Sequence, residues 1–177
     1  MSYQELLRGA QAFYDECCEA LTQDNSAKSR RCSTASILLS FIAIESFINN
    51  MMFDFASVPK GLFSIHERGF LEEREVEFVS SGKKAGEFEI TKRHQYRRLE
   101  DKILFLIAKF SKDSKVDKGT GLWQRFERSK DIRDGLSHPR KNGITTTSLE
   151  DVKVALQTAR EIIELVSEKV WGEKVTL

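Results

Sequence analysis

The sequence predicts an all-α protein, an up-and-down bundle of four to five helices with one small inserted segment. Only two prolines and ten glycines interrupt the 177 residues, and the long stretches between them favour helices. Within those stretches, apolar residues recur at spacings of three and four, as along one face of an amphipathic helix. The length fits about one domain, so we expect residues 1–177 to form a single domain.

Five segments carry the helical pattern. The first runs from about Tyr3 to Leu21, and the polar stretch TQDNSAKSRR after it is turn-like. The second, from about Ser33 to Phe55, is apolar nearly all round, as a central buried helix would be. The third and fourth are predicted over about 96–110 and 122–137, and the fifth carries its apolar pattern from Val152 to Val170.

Two local signals set helix ends late in the chain. Pro139 closes the fourth helix, because the residue before a proline is pushed out of the helical conformation. Ser148, followed three residues later by Asp151, resembles a capping box and opens the fifth helix.

Residues 57–93 depart from the helical pattern. EVEFV and EFEI alternate polar with apolar residues around SSGKKAG, which suggests a small β-hairpin inserted between the second and third helices. A helical continuation through LEEREVEF is nearly as compatible with the sequence.

Composition excludes several classes of protein. The 28 cationic and 27 acidic residues leave a net charge of +1, so no overall attraction draws the chain to nucleic acid or an anionic membrane. The apolar stretch from Ala35 to Phe55 is interrupted by Glu45 and Asp54, which makes it a poor transmembrane segment. The N-terminus has no signal-peptide pattern. Three cysteines, two of them adjacent and without a CxxC pair, indicate reduced thiols in a cytoplasmic protein.

Motifs for cofactors are absent from the sequence. There is no phosphate-binding GxxxxGK[ST], no GxGxxG after a strand, and neither HExxH nor the ExxH of metal-binding bundles. We therefore expect no metal and no other cofactor.

A locally basic stretch, residues 123–141, stands out in this neutral chain. Its cationic side chains are Arg125, Arg128, Lys130, Arg133, Arg140 and Lys141. His138 lies where the proline ends the helix. Asp134 precedes it by one turn, in position to orient the imidazole or raise its pKa. Arg133 precedes His138 by five residues, about 140° around an ideal helix, so the two converge only if the last turn distorts or a second subunit contributes.

These residue types suit RNA cleavage. An imidazole that titrates near neutrality can move a proton to or from a ribose hydroxyl or a leaving oxygen. A guanidinium can hold the scissile phosphate and stabilise the charge that develops. The 2′-hydroxyl is the nucleophile, so the chemistry requires neither a metal nor a catalytic serine. A histidine at a helix C-terminus also interacts favourably with the helix dipole, and a purely structural role for His138 stays open.

Glu45 is the second unusual residue, because it lies inside ILLSFIAIESFINNMM, where a carboxylate is expected to be buried and therefore paired. Arg133 is an attractive partner across the bundle, although any of the other arginines would satisfy the charge. A structural ion pair and an acid that organises a site are equally compatible with this position. We group Glu45 with Asn49, one turn further along the helix, and with Ser137, beside His138, as supporting residues.

A second basic cluster, KRHQYRR at residues 92–98, surrounds Tyr96. The aromatic ring could stack on a base while Arg97 and Arg98 meet phosphates. Such a run is more often a solvated helix start. The candidate RNA contacts of the chain are thus Arg128, Lys130, Arg140, Lys141, Arg97 and Arg98.

The order of these helices resembles the HEPN superfamily. A hydrophobic second helix, ASILLSFIAIESFINNMM, precedes a helix that ends in RDGLSHP, and a long amphipathic helix follows. The family hallmark is an arginine, four to six residues and then a histidine, and Arg133 and His138 match it with four residues between them. The resemblance covers about 1–56 and 94–170, and residues 57–93 would be a subfamily insertion.

The resemblance implies a homodimer whose Arg–His pairs line one shared cleft and cleave RNA without a metal. His138 would be the acid or base, Arg133 the phosphate-binding residue, and Asp134 the polar residue that follows it, where asparagine is frequent. Glu45 would match an acidic position that some members carry. Such proteins are toxins of toxin–antitoxin pairs or parts of intracellular defence, and often act beside a nucleotidyltransferase-type antitoxin. Many HEPN domains are inactive and bind nucleotides or partner proteins instead.

Overall fold

The computed structural model of the chain describes residues 2–59, 61–111, 116, 118–119, 121–138 and 146–175. Within these residues it is mostly helical, with one small antiparallel sheet of two strands. The elements in chain order are α1 (Tyr3–Thr22), α2 (Ser26–Ala56), α3 (Ile65–Leu71), β1 (Arg74–Phe78), β2 (Phe88–His94), α4 (Leu99–Phe110), α5 (Gly121–Ser137) and α6 (Leu149–Trp171).

The five predicted helices are present as α1, α2, α4, α5 and α6. The predicted hairpin is also confirmed, since β1 pairs with β2 in antiparallel register and Phe78 lies opposite Phe88. The alternative of a helical continuation is wrong, because the helix there, α3, ends at Leu71 and the next residues turn into β1. This short helix was not predicted.

The start of α2 corrects the prediction, because the helix begins at Ser26 rather than near Ser33. Part of the stretch expected to be turn-like is therefore helical. Small polar residues on α2 are buried, and their hydroxyls are satisfied locally: Ser33 donates to the Ser29 carbonyl and Ser40 to the Ser36 carbonyl, each at 2.8 Å. A serine that donates to the carbonyl one turn earlier can be buried in a helix at little cost.

The chain divides into two compact units. The first comprises Met1–Phe47 and Leu106–Leu177, and the second is Ile48–Phe105. In the first unit α6 packs against both α1 and α5. Ser36 on α2 donates to the Ala10 carbonyl of α1 at 2.8 Å. The largest fully buried side chains of this unit include Ile37, Phe41, Ile44, Trp123, Phe126, Ile162 and Ile163.

In the second unit α3 packs against both strands of the hairpin. The contact is close, since a Cβ placed on Gly69 would lie 2.4 Å from Val76 Cγ2 and 3.2 Å from the Arg74 carbonyl oxygen. Glu73, between α3 and β1, adopts the left-handed conformation with φ of 51°. Its carbonyl accepts from the Gln95 N–H at 2.8 Å, which joins the two ends of the hairpin.

Among the described residues, α2 alone is long and apolar enough to cross a membrane by length and composition. Its apolar side chains Ile37, Phe41 and Ile44 are at most 1% exposed in the first unit. This burial is typical of the core helix of a globular domain.

Candidate functional site

Arg133 is held on three sides in the first unit. It lies on α5, and its side chain is 23% exposed. Its Nη1 donates to Glu45 Oε1 of α2 at 3.1 Å. Its Nε lies 2.9 Å from Oδ1 of Asp134, the next residue along α5. The guanidinium carbon is 5.2 Å from the centre of the Phe41 ring, within the range of a cation–π contact.

The pairing of Glu45 with Arg133 confirms the partner predicted for that carboxylate. Glu45 is 37% exposed, so the ion pair lies at the edge of the core rather than within it. Phe41, which supports the guanidinium, was missed by the sequence analysis. A signal was present, since Phe41 precedes Glu45 by four residues and therefore lies on the same face of α2.

Asp134 contacts Arg133 rather than the imidazole of His138. Although Asp134 Oδ1 is 2.9 Å from Arg133 Nε, the Nε–H is buried and not aligned for a hydrogen bond with any described acceptor. The two groups thus form an ion pair without a hydrogen bond. Of the guanidinium nitrogens of Arg133, Nη1 alone makes a hydrogen bond to a described residue.

His138 lies at the end of α5 with its side chain exposed. Its backbone N–H donates to the Asp134 carbonyl at 2.9 Å, so helical bonding continues to this residue. Within the described part of the chain the imidazole has no hydrogen-bond partner. This bond shows no distortion of the last turn of α5, and on an ideal helix positions 133 and 138 lie about 140° apart.

The other predicted contacts on α5 are dispersed over its surface. Arg128 pairs with Asp151 of α6, at 3.0 Å between Nη2 and Oδ1. Lys130 is half-buried and Ser137 is exposed. Arg140 and Lys141 lie outside the described residues.

Asn49, Arg97 and Arg98 belong to the second unit. Asn49 Oδ1 accepts from Nζ of Lys102 at 2.9 Å, and the same ammonium pairs with Glu73 at 2.9 Å. Arg97 places its guanidinium 4.8 Å from the centre of the Phe70 ring.

The carboxylate of Asp151 has the clearest electrostatic perturbation near α5. Hydrogen bonds from Ser148 and the nearby Arg128 lower the pKa of Asp151 below its ordinary value, against a smaller opposing effect of burial. Ser148 and Asp151 form the predicted capping box of α6. The ion pair of Arg128 with Asp151 thus connects α5 to the first turn of α6.

Among the described residues, neither the cysteines nor the potential metal ligands form a second candidate site. Cys17, Cys18 and Cys32 are all free thiols, and burial is the main cause that raises the pKa of Cys32. Over the described residues, no three side chains of the metal-binding types cluster together.

Comparison of the chain with protein-family models, with curated proteins and with solved structures finds no match.

Proposed function

We propose that the chain is a HEPN-type helical bundle and acts as a metal-independent endoribonuclease. The observation that carries this proposal is the fixed guanidinium of Arg133, held by Glu45 of α2 on the helix that ends at His138. A guanidinium suits a phosphate, and an exposed imidazole suits proton transfer. The helix order and the Arg–His spacing support the HEPN assignment.

The proposed reaction is an intramolecular transesterification. A base removes the proton of a ribose 2′-hydroxyl, whose oxygen attacks the adjacent phosphorus. The bond to the 5′-oxygen breaks, and that oxygen takes up a proton as it leaves. The products are a 2′,3′-cyclic phosphate and a 5′-hydroxyl. His138 exchanges the protons, and Arg133 neutralises the charge that builds on the phosphate oxygens.

We further propose that two copies of the chain form the active cleft. Positions 133 and 138 lie about 140° apart on an ideal helix, and helical hydrogen bonding continues to the His138 N–H. We therefore infer that the two side chains of one chain do not face the same phosphate. In a symmetric dimer, His138 of one copy and Arg133 of the other can face one RNA strand. Asp134 and Glu45 are positioning residues in this arrangement, since both contact Arg133.

The resemblance extends the proposal to a cellular role. The protein would be a cytoplasmic toxin or defence ribonuclease, with RNA as its substrate and an antitoxin or nucleotidyltransferase-type protein as its partner. Neither a cofactor nor a membrane takes part in this proposal.

One observation favours an alternative function, that of a catalytically inactive HEPN module. Both Glu45 and Asp134 already neutralise Arg133, and a carboxylate beside a phosphate site repels the phosphate unless a cation holds it. In this alternative the protein binds RNA, a nucleotide or a partner protein without cutting RNA.

Cleavage of a mixed-sequence RNA in EDTA by wild type and by His138→Ala tests the proposal. We expect the wild type to leave cyclic-phosphate ends and the His138→Ala variant to lose at least about a hundredfold in rate, as for a lost general acid or base. His66→Ala is the matched control, because His66 is also exposed but belongs to the second unit. Equal cutting by His138→Ala and His66→Ala would contradict the assignment.

A binding measurement separates the two functions. If the wild type binds RNA but leaves it intact, and His138→Ala binds it equally well, the inactive module is favoured. Arg133→Lys keeps the charge but loses the planar fork, so for the ribonuclease its rate should fall more than its RNA affinity.

A further inference from the structure

A basic–aromatic segment, residues 92–98, lies in the second unit and covers the end of β2 and the residues that lead to α4. The backbone N–H of Gln95 donates to the Glu73 carbonyl at 2.8 Å, and that of Arg97 donates to Glu73 Oε1 at 3.1 Å. The guanidinium of Arg97 lies on the Phe70 ring and donates to the Gln95 side chain. The residues on both sides of Tyr96 are thereby fixed.

Tyr96 itself is 83% exposed, the highest value among the exposed large hydrophobic side chains of the described residues. Its ring makes no aromatic or cation contact with a described residue. The ring therefore adds little to the core of the second unit. An exposed aromatic side chain on a fixed backbone is suited to binding, because little entropy is lost when a ligand stacks on it.

The cations of this segment divide into two groups. Arg93 is paired with Glu75 at 2.9 Å and also with Glu77, and Arg97 is held on Phe70. Lys92 and Arg98, in contrast, are exposed and have no ion-pair partner among the described residues. These two unpaired cations flank Tyr96 in the sequence.

We propose that Tyr96, Lys92 and Arg98 form a binding surface for single-stranded nucleic acid, with one base stacked on Tyr96 and phosphates on the two cations. Stacking on an aromatic ring requires an unpaired base, which a duplex does not offer. The two cations recognise the backbone without sequence preference. This inference deepens the proposed function, on which its choice of RNA rests, and assigns substrate capture to residues other than Arg133 and His138.

The test is fluorescence anisotropy with a short labelled single-stranded RNA, in the His138→Ala background so that the RNA stays intact. Tyr96→Ala should weaken binding by at least about fivefold, the lower range for loss of one stacked base. Tyr96→Phe keeps the ring and should bind as the parent does. Lys92→Gln and Arg98→Gln should each reduce the slope of log affinity against log salt by about 0.7.

Lys84→Gln is the matched control, because Lys84 is an exposed cation of the hairpin turn that is already paired with Glu89 at 3.3 Å. Unchanged RNA binding in Tyr96→Ala, or equal binding of duplex and single strand, would overturn the proposed surface. A changed oligomeric state with unchanged RNA affinity would also overturn it and indicate a protein contact. If Tyr96→Ala does not fold, the salt dependence of Lys92→Gln and Arg98→Gln still tests the surface.

The outcomes separate this inference from the proposed function. Loss of cleavage in His138→Ala with no effect of Tyr96→Ala on binding would refute only the surface. Weakened binding in Tyr96→Ala, with cleavage unaffected by His138→Ala, would support the surface and refute only the ribonuclease site.

Discussion

Arg133 is a partly buried cation at the edge of the core of the first unit. Phe41 and Glu45 hold it from α2, and Asp134 holds it from its own helix. A cation held in this way has lost most of its rotamer freedom before a phosphate arrives. Binding a phosphate then costs less entropy than it would with a free surface arginine.

The Glu45–Arg133 pair should contribute measurably to folding. We expect Glu45→Ala to lower the free energy of unfolding by about 1 kcal/mol, less than for a fully buried charged hydrogen bond, because solvent screens a pair at this exposure. Glu45→Gln keeps a hydrogen-bond acceptor for Arg133, so its free energy of unfolding should fall by less. Urea denaturation measures both, with Glu19→Ala as the control at an exposed glutamate of α1. Similar losses for Glu45→Ala and Glu19→Ala would show that the pair is not stabilising.

At the scale of elements, buried polar residues explain where the sequence predicts well and where it does not. The apolar periodicity of α1 and α6 is strong, and these helices have bounds close to the predicted ones. The start of α2 was placed too late because hydropathy treats Ser29 and Ser33 as surface residues, whereas hydrogen bonding permits their burial. Helix α3 begins with a capping box of Ser64 and Glu67, a signal that the sequence contained but that was not used.

The capping box of α6 should make stability depend on pH. In the folded state the pKa of Asp151 lies below its ordinary value, so the ionised carboxylate stabilises the fold above that value, and this stabilisation is lost as the pH falls. Asp151→Ala should therefore be less stable than wild type by about 1 kcal/mol at neutral pH. The difference in stability between wild type and Asp151→Ala should shrink as the pH falls below 3.8, the ordinary pKa of an aspartate. Urea titrations at a series of pH values measure it. A difference that stays constant down to the lowest pH would contradict this role.

The packing of α3 on the hairpin should not tolerate a side chain at residue 69. A methyl group on Gly69 would overlap Val76 Cγ2, a branched side chain, and approach the Arg74 carbonyl. Gly69→Ala should therefore cost about 1–2 kcal/mol, after allowance for the better helix propensity of alanine.

Gly9→Ala is the matched comparison, because a Cβ there would lie 3.3 Å from the flexible end of Leu39. This change in α1 should be neutral or stabilise by up to about 1 kcal/mol. Thermal unfolding of the two variants tests the contrast, and equal melting temperatures would refute it.

At the scale of the whole molecule, the candidate site is only partly predictable from the sequence. The Glu45–Arg133 pair was predictable, because a carboxylate in an apolar helix requires a partner. The sequence did not predict that a second compact unit contains Asn49, Arg97 and Arg98. Helical spacing along α2 carries no information on where one compact unit ends. The same helix places Asp134 beside Arg133 and one turn before His138. Spacing alone does not choose between these two neighbours, and the structure pairs Asp134 with Arg133.

The regular end of α5 leads to a prediction about assembly. If each active site combines Arg133 of one copy with His138 of another, Arg133→Ala and His138→Ala homodimers are both inactive. A mixed dimer then contains one site with both residues intact and one site with neither. Random exchange of subunits makes half of the dimers mixed, so the mixture should recover about a quarter of the wild-type cleavage rate. Cleavage in EDTA after mixing measures the recovery, and mixing each variant with itself is the control. No recovery, with exchange verified by differently tagged subunits, would place both residues of each site in one chain and require the end of α5 to unwind.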